Sequence, residues 1–522
     1  MTNVEHFIEI GIALSTEKNH EVLLEKILLT AIELANADGG TIYSNTSEQT
    51  LKFETIINQS LNLHLGGTTA NKITFPDIAI YNDGKPNDKA MVSLAAATGE
   101  IINIADAYQA NHFDTSAARQ MDARTNYRTQ SVLTLPMKDH QNELNGVLQL
   151  INALDEQGNT ISFSAEKQKV VEALASLAAV VITNKSLITE METLFSSFSK
   201  LIAKAIDRKS PYTGGHCRRV PEITMLLAHA CNEIDYGPLA NFSLTDEDFH
   251  ELSVAAWLHD CGKVATPEYV MDKATKLQTV VDRIDLIQAR FEIAARDITY
   301  SSRYDDQDKT VRLIQLEKDR EFIVHANKGG EFFDEESVAR VYEIANSYQI
   351  TLSGVDQSVL TDNEIYNLIT AKGTLTQEER TIINGHMDVT VEMLESMQFP
   401  KHLQRVPEYA CGHHEKMDGT GYPKGLTREQ MSQPARMMAI ADIFEALTAA
   451  DRPYKQAKTL SETLTIMGWM KCDNHIDPDL FDVFMDKKVY MQFAKQFLLD
   501  SQIDEFDESK IPGYTPAHLR NE

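Results

Sequence analysis

The 522-residue chain sets 49 Lys and Arg against 77 Asp and Glu, a formal charge of −28, with 43% hydrophobic and 24% charged residues. That balance fits a globular chain and argues against extended nucleic acid as a partner, while a small anion can still enter a locally basic or metal-lined pocket. No run approaches the roughly 18 uninterrupted apolar residues of a spanning helix, and the acidic opening MTNVEHFIEIGIALSTEKNHE lacks the basic start of a secretory signal, so no membrane span and a cytoplasmic location are expected.

In chain order, HEVLLEKILLTAIELANAD (20–38) has helical spacing, with Leu23, Ile27, Ala31 and Leu34 on one stripe. GGTIYSN and LKFETIINQS alternate as strands do. SVLTLPMKD (131–139) and NGVLQLINALD (145–155) flank a polar HQNEL turn as an antiparallel hairpin. SAEKQKVVEALASLAAVVITN (164–184) closes this α+β unit with a helix. Apolar positions then continue in a 3-4 rhythm through Leu174, Leu177, Val181, Asn184, Ile188, Met191, Phe195, Phe198, Ile202 and Ala205. That rhythm predicts a parallel coiled coil and hence a homodimer, with Asn184 setting the register. The plainer alternative is that the first half of the run only packs on the N-terminal sheet. Beyond 206 nearly every segment reads as helix and no alternating strand recurs, and the last residues read as an acidic helix end and a tail.

The five cysteines (217, 231, 261, 411 and 472) are odd in number and form no CxxC, which points to a reducing compartment rather than disulfides or a thiolate metal site. Other ligand types recur instead. SPYTGGHCRRV places His216 near a helix start, and VAAWLHDCGKV ends an apolar helix in His259 and Asp260 before turning at Gly262 into Lys263. TQEERTIINGHMD joins a Thr376/Glu379 capping box to His386. HHEKMDGTGYPKGL (413–426) sets His413 and His414 ahead of an acid and a Gly-Tyr-Pro turn, and SQPARMMAIADIFEALTAADRPYK carries Asp442 in an apolar helix. Each has a bland explanation: a lone helical His or Asp is usually a satisfied polar group, and KMDGTGYPKG is good turn chemistry. Together they fit inward-facing metal ligands on a helical scaffold, and an imidazole–carboxylate set suits iron, manganese or zinc.

HDCGK, HHEKMDGTGYPKGL and ADIFEALTAADRPYK resemble the HD-GYP branch of the HD phosphohydrolase superfamily, over about 200–272 and 373–475. The resemblance implies a metal-dependent phosphodiesterase that opens cyclic di-GMP to pGpG, and leaves open a further step to GMP. It implies metal ligation by His216, His259, Asp260, His386, His413, His414 and Asp442, with Asp260 shared between metals. Asp260 and Lys263 would be catalytic; Arg452 and Lys455 would hold phosphate, and Gly421, Tyr422 and Pro423 would shape the substrate-facing loop. Tyr212 stands where some members place a third-metal glutamate, so two divalent ions, iron or manganese, are expected. Asp260 and His386 are 126 positions apart, far more than in the family, which implies an insertion over about 274–371, read as long charged helices forming a lid or an added helical hairpin beside the site. The insertion keeps open a second substrate, another cyclic nucleotide or dinucleotide. A non-catalytic partner-binding module is the third reading.

The N-terminal run DAYQANHFDTSAARQMDARTNYRTQSVLTLPMKD is similar to GAF domains attached to cyclic nucleotide phosphodiesterases. The resemblance offers Asp106, Phe113, Asp122, Thr125 and Tyr127 as pocket residues for a cyclic nucleotide or another small ligand, though a structural role serves them equally. No cysteine precedes 217, which argues against a covalent bilin. The expected organisation is therefore multidomain: an α+β GAF-like sensor over 1–184, a coiled-coil linker helix over 185–208, an all-α HD-GYP-like domain over 209–500 with its insertion, and an acidic tail over 501–522.

Overall fold

A computed structural model describes residues 19–520 apart from 111, 211–214, 331 and 451–456, together with 11–13, 16 and 17. The chain separates into two compact units, Met1–Leu194 and Phe195–Glu522.

In the first unit, helix α1 (His20–Ala35) starts where the Asn19 side chain accepts from the backbone N–H of Glu21 and Val22. It stops at Asn36, whose φ of 46° is left-handed. Strands β1 (Ala37–Asn45), β2 (Thr50–Asn58), β3 (Leu63–Gly66), β4 (Ile102–Ile104), β5 (Val132–Lys138) and β6 (Leu144–Leu154) form an antiparallel sheet in the order β3-β2-β1-β6-β5-β4. The expected hairpin is present as β5 and β6, in register from Val132 opposite Ile151 to Lys138 opposite Leu144. Alternation along the strands serves two cores. Ile42 and Leu148 face α1, whereas their neighbours Tyr43 and Val147 pack with Val92 and Ala96 of α2 (Met91–Thr98) on the other side. Gly40 lets α1 approach the sheet, since a Cβ there would lie 2.9 Å from the Leu28 side chain and 2.7 Å from the Gln149 carbonyl. A further helix, α3 (Ser116–Thr125), carries Asp122.

Helix α4 (Ala165–Lys209) runs 45 residues without a break. By length and composition it is apolar enough to cross a membrane, yet Val171, Leu174, Ala175, Ala178 and Ala179 are buried in the first unit's core. Of the expected seam, Leu174 is wholly buried, and Phe195 and Ile202 pack on the second unit's core. The large apolar side chains left exposed are Val180, Leu187, Ile188, Met191, Leu194, Phe198 and Leu201; all but Ile188 follow one 4-3 rhythm that exposed Asn184 shares. The exposed face keeps Asn184, Ile188, Met191 and Phe198 of the expected seam and gives up Leu174, Phe195 and Ile202, because the helix also serves the cores of its own chain.

The second unit is helical around one large core. Val220, Ile223 and Leu227 of α5 (His216–Asn232), Leu252 and Ala255 of α6 (Asp246–Leu258) and residues of several later helices meet there. Residues 277–369 bury a separate core of Leu277, Ile287, Phe291, Leu316, Ile323, Val341 and Ile344, drawn from α7 (Ile284–Tyr300), α8 (Asp306–Ala326), α9 (Glu335–Ser347) and adjoining turns. This segment leaves and re-enters at one place: Thr374 Oγ1 donates to the Lys273 carbonyl at 2.8 Å, and Lys273 Nζ reaches Glu379 at 2.7 Å. It also corrects the expectation of no further strands, because β7 (Gln349–Leu352) and β8 (Val355–Ser358) pair antiparallel. Ser353 and Gly354, at φ 54° and 79°, make the tight turn that two strands of right-handed twist require.

Helix α10 (Asp362–Leu368) leads to α11 (Gln377–Asn384), which opens on the expected Thr376/Glu379 capping box. Then come α12 (His386–Ser396), α13 (Val406–Cys411) and α14 (Gln433–Thr448), the last of these buried on most of its faces. The expected acidic tail is largely folded back. Ile511 and Tyr514 are buried, the Tyr514 hydroxyl donates to Asp486 at 2.8 Å, and Arg520 pairs with the same carboxylate at 2.9 Å. The acids of this segment are used as well: Asp504 accepts from the Ser461 N–H at 3.0 Å and Glu508 from the Tyr490 hydroxyl at 2.7 Å.

Because Phe291 belongs only to the 277–369 core, Phe291→Ala should destabilise that segment by about 3–5 kcal/mol. Denaturant titration followed by hydrogen exchange should show early opening of these helices while metal content stays at the wild-type level.

Candidate metal centre

Three helix ends deliver imidazoles in one tautomer. His259 follows α6, His386 sits at the junction of α11 and α12, and His413 follows α13. Their Nδ1 atoms lie 2.7, 2.5 and 2.6 Å from the carbonyls of Ala256, Ile383 and Ala410, in each case three residues back. A carbonyl only accepts, so Nδ1 carries the hydrogen and each Nε2 points a lone pair inward. The last turn of a helix has carbonyls without intrahelical partners, which is why this arrangement recurs. His216, the first residue of α5, is oriented differently: its Nδ1 contacts the Glu445 carboxylate, which Arg219 Nε holds at 2.7 Å. Sequence reasoning did not find Glu445. Its signal was its place one turn after Asp442 on α14, on the same helix face.

Asp260 stands between these imidazoles with its two oxygens turned opposite ways. Oδ2 is 3.1 Å from His216 Nε2, 3.2 Å from His259 Nε2 and 2.5 Å from Lys263 Nζ. Oδ1 is 3.3 Å from His386 Nε2 and 4.0 Å from His413 Nε2. Asp442 Oδ1 approaches His216 Nε2 at 3.3 Å, beside the first group. His414 has its ring centre 4.2 Å from that of His413 and stacks on Tyr422 at 4.9 Å. The seven residues expected as ligands are thus brought together. Ligand atoms of His216, His259 and Asp260 lie within 4.8 Å of one another, as do those of Asp260, His386, His413 and His414.

The unpaired atoms show that this set fits metal. Asp260 Oδ1, His386 Nε2 and His413 Nε2 are buried and make no hydrogen bond. Each such atom costs about 1–3 kcal/mol if left so, and cations between them would satisfy all of them. Protonation agrees. Burial, with His414 and His259 adding to it, holds His413 far below the usual imidazole range, and burial pushes His414 down to about 4, so both offer neutral nitrogen. Burial would raise the Asp260 carboxyl, but Lys263 and His259 hold it well below its ordinary value. Burial likewise opposes charge on Lys263, and Asp260 and Asp442 more than offset this, so the ammonium persists. For His216, burial is outweighed by Glu445, Asp260 and Asp442, which raise it.

Two further features set the geometry. Gly262 lies against the start of α12, where an added Cβ would be 2.0 Å from the His386 carbonyl and 2.6 Å from Thr390 N, and its N–H donates to Thr390 Oγ1 at 3.0 Å. Glu415 is buried and accepts from the Lys424 and Leu426 N–H groups at 2.7 and 2.9 Å, which fastens the Gly421-Tyr422-Pro423 loop. Gly421 is required there, since a Cβ would meet Glu415 Cα at 2.4 Å. Arg452 and Lys455, expected to hold phosphate, lie outside the described residues.

In the first unit, Phe113, Asp122, Thr125 and Tyr127 line a cavity of about 510 Å³, together with Tyr43 and Phe53. Asp106 does not line it and instead pairs with Arg128 at 3.0 Å. Asp122 is committed to the Tyr108 hydroxyl at 2.7 Å and the Thr129 N–H at 2.8 Å. The Tyr127 hydroxyl donates to Asp38 at 2.6 Å and accepts from Asn152 at 2.8 Å. Tyr127 thus ties its loop to the sheet and Asp122 ties α3 to two loops, while both border the cavity.

Known families match both units. The GAF domain profile matches residues 19–182, and the HD domain profile matches residues 360–480. The chain joins a GAF domain to an HD domain. The HD match contains His386, His413, His414 and Asp442, while His216, His259 and Asp260 lie upstream of residue 360 and join the centre only in space. The chain is 36% identical over 123 residues to a 3'3'-cGAMP-specific phosphodiesterase of Vibrio cholerae, which covers 23% of this chain and 28% of that protein. It is 36% identical over 118 residues to a cyclic di-GMP phosphodiesterase of Pseudomonas aeruginosa, covering 23% of this chain and 27% of that one. The chain thus spans little more than a quarter of the length of these relatives. Among solved structures, the GAF domain of an Acinetobacter phosphoenolpyruvate-protein phosphotransferase is 14% identical, covers 36% of this chain and 99% of its own, and has a TM-score of 0.27.

Because Gly262 holds Asp260 and Lys263 against α12, Gly262→Ala should lower stability by at least about 2 kcal/mol and weaken metal uptake at least about tenfold. Thermal unfolding and metal titration of the purified chain check both effects.

Proposed function

We propose that the chain is a metal-dependent phosphodiesterase that opens cyclic di-GMP to pGpG, with onward cleavage to GMP. The observation that carries this reading is the buried set of inward Nε2 atoms around one shared carboxylate. The activities for which the two relatives are named, both cyclic dinucleotide phosphodiesterases, support it. His216, His259, Asp260 and Asp442 would hold one ion, and Asp260, His386, His413 and His414 a second. Iron or manganese suits this imidazole–carboxylate set.

Two divalent ions in this place would supply positive charge to the phosphate and acidify a nearby water. The chain's own residues do the rest. Water oxygen forms the new bond to phosphorus as the bond to the departing oxygen breaks, and that oxygen needs a proton. Lys263, kept charged by Asp260 and Asp442, is the donor. Tyr422, half-buried against His414, presents an aromatic face to a base, while Arg452 and Lys455 are assigned to phosphate by their place in DRPYK. A second reading keeps this centre and changes the substrate to a mixed guanine–adenine cyclic dinucleotide, the one named for the Vibrio cholerae relative.

The GAF domain regulates this activity in the same reading, through a cyclic nucleotide or other small ligand in its cavity. The exposed stripe Val180, Asn184, Leu187, Met191, Leu194, Phe198 and Leu201 on α4 would pair with its copy in a homodimer, because a 4-3 apolar repeat suits knobs-into-holes packing of parallel helices. A cytoplasmic location accords with five cysteines that are all unpaired. The segment over about 274–371 is an insertion in the HD domain, supported by its own core and its closely tied ends.

Chromatography of anaerobically purified protein given cyclic di-GMP with Fe(II) or Mn(II) should yield pGpG or GMP. Asp260→Ala should abolish both product and metal retention. Lys263→Ala should keep its metals and lose at least about 100-fold in kcat. Product from the mixed dinucleotide alone would select the second reading, and intact turnover in Asp260→Ala would overturn the assignment of the centre. Separately, Leu187→Glu with Leu194→Glu should convert a dimer to a monomer by light scattering.

A further inference from the structure

We propose that Lys209 is a positioning residue that fastens the end of α4 to the turn carrying Lys263, so that movement of the long helix reaches the metal centre through one ammonium. The proposal rests on the reading of Lys263 as the proton donor. Lys209 is the last residue of α4. Its Nζ lies 3.2, 2.5 and 2.6 Å from the carbonyls of Lys263, Val264 and Thr266. A lysine ammonium has three N–H donors and no acceptor, so these carbonyls use its whole capacity.

The three carbonyls share a cause. Residues Cys261–Ala265 form a single short 3₁₀ turn, held by Lys263 N–H to the Asp260 carbonyl at 2.9 Å and Thr266 N–H to the Lys263 carbonyl at 3.1 Å. The Lys263 carbonyl thus has one backbone donor, while those of Val264 and Thr266, at the C-terminal end of so short a helix, have none among the described residues, and partial negative charge concentrates there. Lys209 supplies the missing donors and the opposite charge. The same turn sets Lys263 Nζ 2.5 Å from Asp260 Oδ2. The next residue adds a second tie, since the buried Ser210 hydroxyl donates to Asp272, beyond the turn. Lys209 touches none of the expected metal ligands through its side chain, so its effect is on where Lys263 stands rather than on what binds metal.

The consequence is a mechanical link that sequence order hides. Helix α4 begins in the GAF-bearing unit and ends at Lys209 in the HD-bearing one. An axial shift or rotation of its last turn would pull on three carbonyls at once and displace the proton donor, while the imidazoles on α5, α12 and α13 keep their places.

The test uses the full-length chain as wild type, Lys209→Met and Lys209→Arg. Steady-state kinetics with cyclic di-GMP, metal content by mass spectrometry and amide hydrogen exchange are measured on each. Lys209→Met should keep wild-type metal content and a KM within about twofold, and lose at least about tenfold in kcat, with Lys209→Arg recovering most of that loss. A Lys209→Met variant with wild-type kcat overturns the proposal. So does one that loses metal in step with activity, which would make Lys209 a general support of the fold. Should the wild type cleave no cyclic dinucleotide, the proposed activity fails by itself and exchange at residues 263–266 decides the link. Exchange at least about tenfold faster in Lys209→Met upholds it, and unchanged exchange overturns it.

Discussion

One carboxylate, Asp260, governs the second half of this protein. It is buried, and its two oxygens face two different sets of imidazoles. Burying an ionised carboxylate among polar nitrogens is unfavourable unless every partner is placed and oriented. The rest of the site can be understood as the set of devices that meets this demand. Helix ends offer spare carbonyls that fix His259, His386 and His413 in the tautomer with an inward lone pair. Glu445 orients His216, and is itself neutralised by Arg219.

Those devices depend on close approach more than on bulk burial. Gly262 and Gly421 occupy points where any Cβ would strike backbone, and each lies within a motif whose charged members attract attention first. Between them they bring the HD pair against α12 and the Gly-Tyr-Pro loop against Glu415. The same logic explains why some hundred residues can be accommodated between Asp260 and His386. The segment departs at Lys273, returns at Thr374 a hydrogen bond away, and buries its apolar residues against itself. The ligand geometry is therefore insulated from it.

The GAF-bearing unit follows a different economy. Its sheet is covered on both faces, so alternate residues of one strand belong to different cores. Two residues expected in a ligand pocket, Asp122 and Tyr127, border the cavity but spend their polar atoms on Tyr108, Thr129, Asp38 and Asn152. Asp106 faces elsewhere. A motif shared across a domain family can record loop anchoring as readily as recognition, and only the hydrogen-bond partners separate the two.

Local chemistry was enough for much of this. Residue spacing showed α1, the β5–β6 hairpin, the capping box at Thr376 and the long helix, because periodicity and caps act within a few residues. The ligand types were legible as well: His216, His259, Asp260, His386, His413, His414 and Asp442 stood out as recurring His and Asp side chains, and the family resemblance joined them into one ligand set. Three things were decided only by the tertiary structure. Glu445 and Lys209 act through partners more than fifty positions distant; Glu445 was marked only by its place one turn after Asp442, and nothing near Lys209 in the sequence marks it. The exposed stripe of α4 was set by which of its faces the two cores had already taken. The folded C-terminal residues and the β7–β8 hairpin were hidden by charge and by shortness. Sequence carries what a residue is and what its near neighbours permit; which buried atom it must satisfy, and which face it leaves to solvent, are set by contacts that exist only once the chain has closed on itself.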